Sequence, residues 1–194
     1  MTKKKRGPRP EGATTREDIL EAARATFSEV GYDRATIRRI ASFAEVDPAL
    51  VMHYFGSKEE LFAAAVKLPM SPEQAFGHIF EGPPDELGTR LATLFFGIWE
   101  IPDTREALIG QLRMALTTNT PPPMRDFLAE AVLSRIEKGV SGPDASLRVE
   151  LAASHLIGVA VIRYVLRLEP LASTPIERLV SEIAPRITSY LTKT

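Results

Sequence analysis

The stretch EVDPALVMHYFGSKEEL, residues 45–61, contains two helix starts separated by one helix stop. Asp47 is a favourable N-cap and Pro48 suits the first helical position, so a helix is predicted to begin there. Gly56 favours the end of that helix, and Ser57 opens an S-x-x-E capping box that starts another. The stretch therefore predicts one short, complete helix held between two start signals.

The residues before this stretch predict two more helices. A capping box at Thr14 and helical spacing of apolar residues predict a helix over 15–30, which Gly31 would end. Thr36 can cap a second, short helix with an apolar face. A longer helix followed by two short ones is the plan of a helix-turn-helix, although such pairs also occur in proteins that do not bind DNA.

The third helix is informative because of what it leaves facing outward. If Val51 and Phe55 point inward, then Ala49, Met52 and His53 lie on the opposite side, with Tyr54 near the edge. A small residue lets a helix enter the major groove deeply, Met and His can touch base edges, and Tyr can donate to phosphate. These residue types agree with a DNA-reading helix.

The segment FSEVGYDRATIRRIASFAEVDPALVMHYFGSKEELF, residues 27–62, resembles the DNA-binding domain of the TetR (tetracycline repressor) family of transcriptional regulators. Both the G-Y-x-x-x-T-x-R-x-I-A block and the H-Y-F-x-S-K-E-x-L block are in register. The resemblance implies phosphate contacts at the start of the second helix, in the third helix and after it, with base contacts between them. The implied DNA-binding residues are Thr36, Arg38, Pro48, Ala49, Met52, His53, Tyr54 and Lys58.

The third helix departs from the family pattern. Many members carry hydrogen-bonding side chains where this chain has Pro48, Leu50 and Met52. Because phosphate contacts supply much of the affinity for DNA, we expect the loss to be compensated elsewhere.

A basic arm at residues 1–13 is the candidate for that compensation. On composition alone such an arm is a solvated, disordered tail. The alternative is that it lies in the adjacent minor groove or along the DNA backbone. The basic residues predicted to do so are Lys3, Lys4, Lys5 and Arg6.

The sequence predicts an all-α fold in two parts, a helix-turn-helix domain at 14–68 and a helical regulatory domain at 69–194. The second part resembles the family only in plan, which implies a ligand-binding and dimerisation domain. Pro185 is expected to kink the last helix. Helices are predicted at 71–80, from about 87, and at 103–118, 122–139, 145–168 and 175–192.

The run LIGVAVI at 156–162 is apolar on all sides, which is unusual for a surface helix. Either the helix is interior to one subunit, or one side meets its own core and the other a partner subunit. The resemblance favours a homodimer, in which two-fold symmetry makes the DNA operator pseudo-palindromic. The predicted dimer contacts are Leu156, Val159, Ala160, Arg163, Ile183 and Ile187.

The resemblance also implies a pocket for a small apolar or amphipathic effector among the middle helices. Most aromatic residues there would be ordinary core residues. His155 is more typical of a satisfied core or interface histidine than of a sensor, and Arg163 of an ion pair than of an anion clamp. The candidate ligand contacts are Phe76, Phe95, Trp99, Met114 and His155.

Composition argues against several other classes of function. The chain has no Cys and three His without metal-ligand spacing, so neither a metal nor a cofactor is predicted. No nucleophile or phosphate-binding motif is present, so an enzyme is not expected. The basic N-terminus lacks a signal-peptide core, and the apolar run 151–162 is too short to cross a bilayer, which predicts a cytoplasmic protein. A helical dimeric scaffold or ligand-binding protein with weakened DNA binding remains the alternative.

Overall fold

A computed structural model of the protein describes residues 13–117 and 123–192, without the side chains of 13, 14, 114, 116 and 117. All regular secondary structure in these ranges is helical, which confirms the predicted fold class. A 3₁₀ turn at Pro84–Glu86 and π-helical segments at Leu128–Leu133 and Val161–Leu166 accompany the α-helices. The α-helices are α1 (Ala13–Arg34), α2 (Ile37–Phe43), α3 (Pro48–Phe55), α4 (Lys58–Ala65), α5 (Pro72–Phe76), α6 (Leu87–Glu100), α7 (Pro102–Thr117), α8 (Pro123–Phe127), α9 (Ser134–Lys138), α10 (Ala145–Ala160) and α11 (Ile176–Leu191).

Helices α2, α3 and α4 begin where the capping residues predict. The hydroxyls of Thr36 and Ser57 each accept a hydrogen bond from the amide three residues later, at 3.2 and 3.0 Å. The Asp47 carboxylate accepts one from the amide of Ala49 at 2.7 Å. Gly56 ends α3 with a φ of 71°, a value that L-residues with side chains rarely adopt.

Other helix bounds differ from the predictions. The first helix is interrupted at Gly31, as predicted, where φ is 82°, and a further turn follows to Arg34. The helix predicted at 71–80 ends at Phe76. The helices predicted at 122–139 and 145–168 each contain a π-helical segment. The sequence carries no local signal for those segments, because their apolar spacing fits an α-helix equally well.

The first core is formed by α1 to α4 together with α8. Its centre is a cluster of four rings, Phe27, Tyr32, Phe62 and Phe127. The ring centroids of Phe62 and Phe127 lie 4.5 Å apart, and those of Tyr32 and Phe127 lie 5.6 Å apart. Since Phe127 belongs to α8, a helix beyond residue 68 is packed into the N-terminal core.

The second core is formed mainly by α6, α10 and α11, with side chains from α9. Helix α11 lies along α6 and continues past Pro185 to Leu191. The hydroxyl of Thr188 accepts a hydrogen bond from the Gly88 amide at 3.1 Å and donates to the Asp85 carbonyl at 3.3 Å. This contact fixes the start of α6 against α11.

Among the described residues, one continuous helix, Ala145–Leu166, is long and apolar enough to cross a membrane by length and composition. The predicted apolar run 151–162 was shorter than this helix. Core helices of soluble proteins meet the same criterion, so it is weak evidence for a membrane span. Only 28% of the most apolar part of this helix is buried within the chain, so the helix presents apolar side chains outward.

Candidate nucleic-acid interface and ligand cavity

Helix α3 presents the side that the sequence predicts to be outward. Val51 and Phe55 are buried in the first core, whereas Ala49, Met52 and His53 are exposed. Pro48 and Tyr54 are half-buried at its edges. The outward face of α3 is therefore available to a partner, and its contact with DNA stays a prediction.

The two neighbouring arginines of α2 are in different situations. Arg39 forms an ion pair with Glu29 at 2.9 Å. Arg38 is exposed and has neither an ion pair nor a hydrogen bond through its side chain to any other described residue. Thr36 is exposed beside it and caps the helix. Within the described ranges, Arg38 is thus the α2 arginine whose side chain is available to an external partner.

Lys58 is held beside the start of α2. Its ammonium lies 4.2 Å from the centroid of the Tyr32 ring and donates to the Asp33 carbonyl at 3.1 Å. Burial is the main cause that raises the pKa of Tyr32 above its usual value, and the nearby Glu59 carboxylate raises it further. The ring is therefore neutral, and together with the Asp33 carbonyl it gives the charge of Lys58 a fixed place at the end of α1.

The predicted basic-arm residues Lys3, Lys4, Lys5 and Arg6 lie outside the described residues. The structure does describe the first turns of α1. There the Arg16 guanidinium lies 5.2 Å from the centroid of the Phe55 ring. The N-terminal part of α1 is therefore packed against the end of α3.

A cavity of about 110 Å³ lies within the second part of the chain. Its walls come from α5, α6, the segment Leu128–Leu133, α9, α10 and α11, and all of its lining residues are apolar. Phe76 and Phe95, two of the candidate ligand contacts, line it. Two larger cavities, about 290 and 350 Å³, have charged residues such as Arg24 and Arg90 in their walls.

Two other candidate ligand contacts do not line the apolar cavity, so their contact with a ligand stays a prediction. Trp99 is stacked on Tyr164, with ring centroids 5.3 Å apart and an interplanar angle of 11°. His155 is half-buried elsewhere on α10. The side chain of Met114 lies outside the described set.

A polar cluster lies beside Trp99, where α6 ends. The Tyr164 hydroxyl donates to Glu100 at 2.7 Å, and the Arg163 guanidinium is 3.6 Å from the same carboxylate. Arg163 also donates to the carbonyls of Leu171 and Thr174, both at 2.7 Å. Burial, followed by the hydrogen bond to Glu100, raises the pKa of Tyr164 to about 12.

Most of the predicted dimer contacts lie in the core of their own chain, and their part in a dimer stays a prediction. The side chains of Leu156, Ala160, Ile183 and Ile187 are at most 6% exposed because they form the second core of their own chain. Arg163 is bound within its own chain, as described above. Val159 is partly buried against the same core. Side chains packed in this way have little surface left for a partner.

The helix that contains Leu156 and Ala160 carries exposed apolar residues on its opposite side. The large side chains on that side are between 38% and 57% exposed. A Cβ built at Gly158 would meet no atom within 4 Å, so this side of the helix is open at its centre. We call this set the exposed stripe, and it comprises Leu147, Leu151, Ser154, Gly158, Ile162 and Leu166.

Comparison with known families identifies the chain. Residues 19–65 match the family model described as bacterial regulatory proteins, tetR family. Residues 85–191, more than half of the chain, match the tetracyclin repressor-like C-terminal domain. The chain belongs to the TetR family. The resemblance in residues 27–62 is thereby confirmed, and so is the two-part plan of a helix-turn-helix followed by a helical C-terminal region.

Individual relatives agree with the TetR-family assignment. A TetR-family regulator from Streptomyces coelicolor A3 is 34% identical, with a TM-score of 0.56 over 97% of this chain and 100% of that one. The HTH-type transcriptional repressor AcnR of Corynebacterium glutamicum is 28% identical over 82% of this chain and 85% of its own length. The AcnR of Corynebacterium efficiens is 42% identical, but over only 27% of this chain and 28% of its own length.

These findings establish a DNA-binding transcriptional regulator, and the AcnR relatives are named repressors. The TetR family is one of transcription regulators rather than of enzymes.

Proposed function

We propose that this TetR-family protein is a cytoplasmic repressor that binds a pseudo-palindromic operator as a homodimer and is released by a small, apolar ligand. The observation that carries the proposal is the outward face of α3. Buried Val51 and Phe55 fix the orientation of that helix, and Arg38 and Lys58 lie on the flanking elements. A helix held in this way can enter the major groove while the flanking residues meet the backbone.

The phosphate contacts are assigned to residues around α3. Thr36 and Lys58 lie where α2 begins, and Tyr54 lies at the edge of α3. The packing of Arg16 against Phe55 supports an arm that starts close to the same DNA surface. The basic residues of that arm would then add the phosphate contacts that α3 lacks.

A second copy of the chain is the partner proposed for the exposed stripe. Four large apolar side chains in one line are costly to leave in water, and small residues at its centre allow two helices to approach closely. A stripe that pairs with itself about a two-fold axis gives a closed dimer. Such a dimer holds two copies of α3 in a fixed relation, which is what a pseudo-palindrome requires.

The apolar cavity is proposed as the ligand site. Because its walls offer no polar side chain, a ligand gains by hydrophobic burial rather than by hydrogen bonds. One segment of the chain contributes to both the cavity wall and the first core. Leu128 and Val132 line the cavity, while Phe127, immediately before Leu128, packs in the ring cluster with Phe62 and Tyr32.

This connection suggests how a ligand changes DNA binding. A ligand that pushes on the segment Leu128–Leu133 would displace Phe127 and therefore α1 and α4, which hold the helix-turn-helix. The dimer would then favour a spacing of its two α3 helices that does not fit the operator. Ligand and DNA would each weaken the binding of the other by the same factor.

Benzene is a suitable probe of this cavity, because dry apolar cavities of similar size bind it. At several times its dissociation constant, it is expected to stabilise the protein by about 1 kcal/mol, which raises Tm by about 2–4 °C. Ala152 lines the cavity and is buried, so Ala152→Leu should fill the space and abolish the shift measured by calorimetry. Ala25→Leu, on the exposed side of α1, is the control and should leave the shift intact. An equal shift in the Ala152→Leu protein would contradict the assignment of the cavity.

The proposed function is tested by mixing the purified protein with sheared genomic DNA from its source at roughly physiological salt and sequencing what it retains. The proposal predicts enrichment of one pseudo-palindrome next to promoters. Retention of DNA with no shared site, or of none, would favour the alternative of a helical scaffold with weakened DNA binding.

A further inference from the structure

The chemical composition of α3 restricts what the helix can recognise. Among its eight residues, PALVMHYF, only His53 and Tyr54 have a polar atom in the side chain. Its other exposed and half-buried positions carry Pro48, Ala49, Leu50 and Met52, the last of which is 43% exposed. The surface offered to the major groove is therefore mainly apolar.

Each base demands a different side chain in the major groove. Guanine is read by Arg or Lys, adenine by Asn or Gln, and cytosine by Asp or Glu, whereas the C5-methyl group of thymine is read by apolar contact. Helix α3 contains none of the first three kinds of side chain. Asp47, immediately before it, accepts the hydrogen bond from the Ala49 amide that caps the helix. Most residues of α3 can therefore recognise a base only by apolar contact.

We infer that α3 selects its operator half-site through the methyl groups of thymine, which lie against Pro48, Ala49 and Met52. This inference rests on the proposed function, since it specifies the DNA that the same site binds. Arg38 on α2 remains the side chain for a contact with guanine beside these thymines. The half-site is then defined by where methyl groups stand in the groove rather than by a row of hydrogen bonds.

Replacement of thymine by uracil tests the inference directly, because it removes the methyl group and leaves base pairing intact. A pool of random duplexes containing thymine is first enriched by binding to the full-length protein. The enriched duplex is then made with uracil at one symmetric pair of positions at a time. We expect about a fourfold loss of affinity for each methyl group, and so about 15-fold for the pair that lies against α3. Uracil outside the half-sites should have no effect.

Two outcomes of this experiment would overturn the inference in different ways. If uracil at every thymine of the half-sites changed the affinity by less than about twofold, α3 would not read methyl groups, although DNA binding itself would stand. If the thymine pool yielded no enriched sequence, the proposed function would fail together with the inference.

A substitution in α3 gives an independent test. Met52→Gln keeps the length of the side chain but supplies the amide that pairs with adenine. Its selected half-site should carry adenine in place of thymine at one symmetric position. Met70→Gln is the matched control, because Met70 is 37% exposed and lies between α4 and α5. A Met52→Gln protein that selected the same thymines as the unmodified protein would contradict the inference.

Discussion

Replacement of Leu151 by glutamate is expected to convert the proposed dimer into a monomer of about the 21.4 kDa of one chain. Leu151 is 40% exposed in the single chain and lies within the exposed stripe. In a two-fold dimer the substitution would bury two unpaired carboxylates, which is strongly unfavourable. Since operator binding would lose its bivalency, the affinity should fall by at least about 100-fold. Light scattering gives the mass, and fluorescence anisotropy with the selected duplex gives the affinity.

Ile101→Glu is the matched control for this experiment. Ile101 is 39% exposed, almost the same as Leu151, and follows Glu100, which accepts the hydrogen bond from Tyr164. It does not belong to the exposed stripe. The control should remain dimeric with unchanged affinity. A dimeric Leu151→Glu protein that bound the duplex normally would show that the exposed stripe is not the interface.

Gly88→Ala is expected to destabilise the protein by about 2–3 kcal/mol, which lowers Tm by several degrees. A Cβ at this position would lie 2.6 Å from the Thr188 amide nitrogen and closer still to the Ala184 carbonyl oxygen. Both atoms belong to the backbone of α11, so neither can turn away as a side chain would. Helices α6 and α11 would have to separate, and the hydrogen bond between Gly88 and Thr188 would lengthen or break.

Gly97→Ala, in the same helix, should have the opposite effect. A Cβ there would meet no atom within 4 Å, and the position is exposed. Because alanine favours a helix more than glycine does, we expect a gain of about 0.5–1 kcal/mol. Urea unfolding of the two proteins under identical conditions measures the difference. Equal changes at both positions would contradict the close approach of α6 and α11 at Gly88.

The N-terminal part of the structure could be predicted well from the sequence because its signals are local. Thr36, Asp47 and Ser57 each accept a hydrogen bond from an amide two or three residues later. Because this contact is local, a helix start predicted from the sequence agrees with the helix start in the structure. The inward side of α3 followed from the spacing of Val51 and Phe55.

The contacts of α10 could not be predicted in the same way. Its central run is apolar on all sides, so periodicity does not show which side meets the core. Leu156 and Ala160 are buried, whereas Ile162 and Leu166 are exposed, although all four are apolar or small. Only the positions of α6 and α11 decide between the two sides, and that information is tertiary.

The stacking of Trp99 could not be predicted for a related reason. An aromatic residue on a middle helix is compatible with a cavity wall and with a core contact. Here the indole stacks on Tyr164, which follows α10 by four residues and comes close only through the fold. The interruption at Leu128–Leu133 was likewise not predictable, although the proposed coupling of cavity and helix-turn-helix depends on that segment.

Hydroxyl-radical footprinting on the selected duplex tests the central claim, that a dimer presents two α3 helices to one operator. Two protected patches are predicted on the duplex, related by a dyad and centred about one helical turn, or a multiple of it, apart. At saturation, the number of chains bound per duplex should be a multiple of two. A single protected patch occupied by one chain would contradict the account.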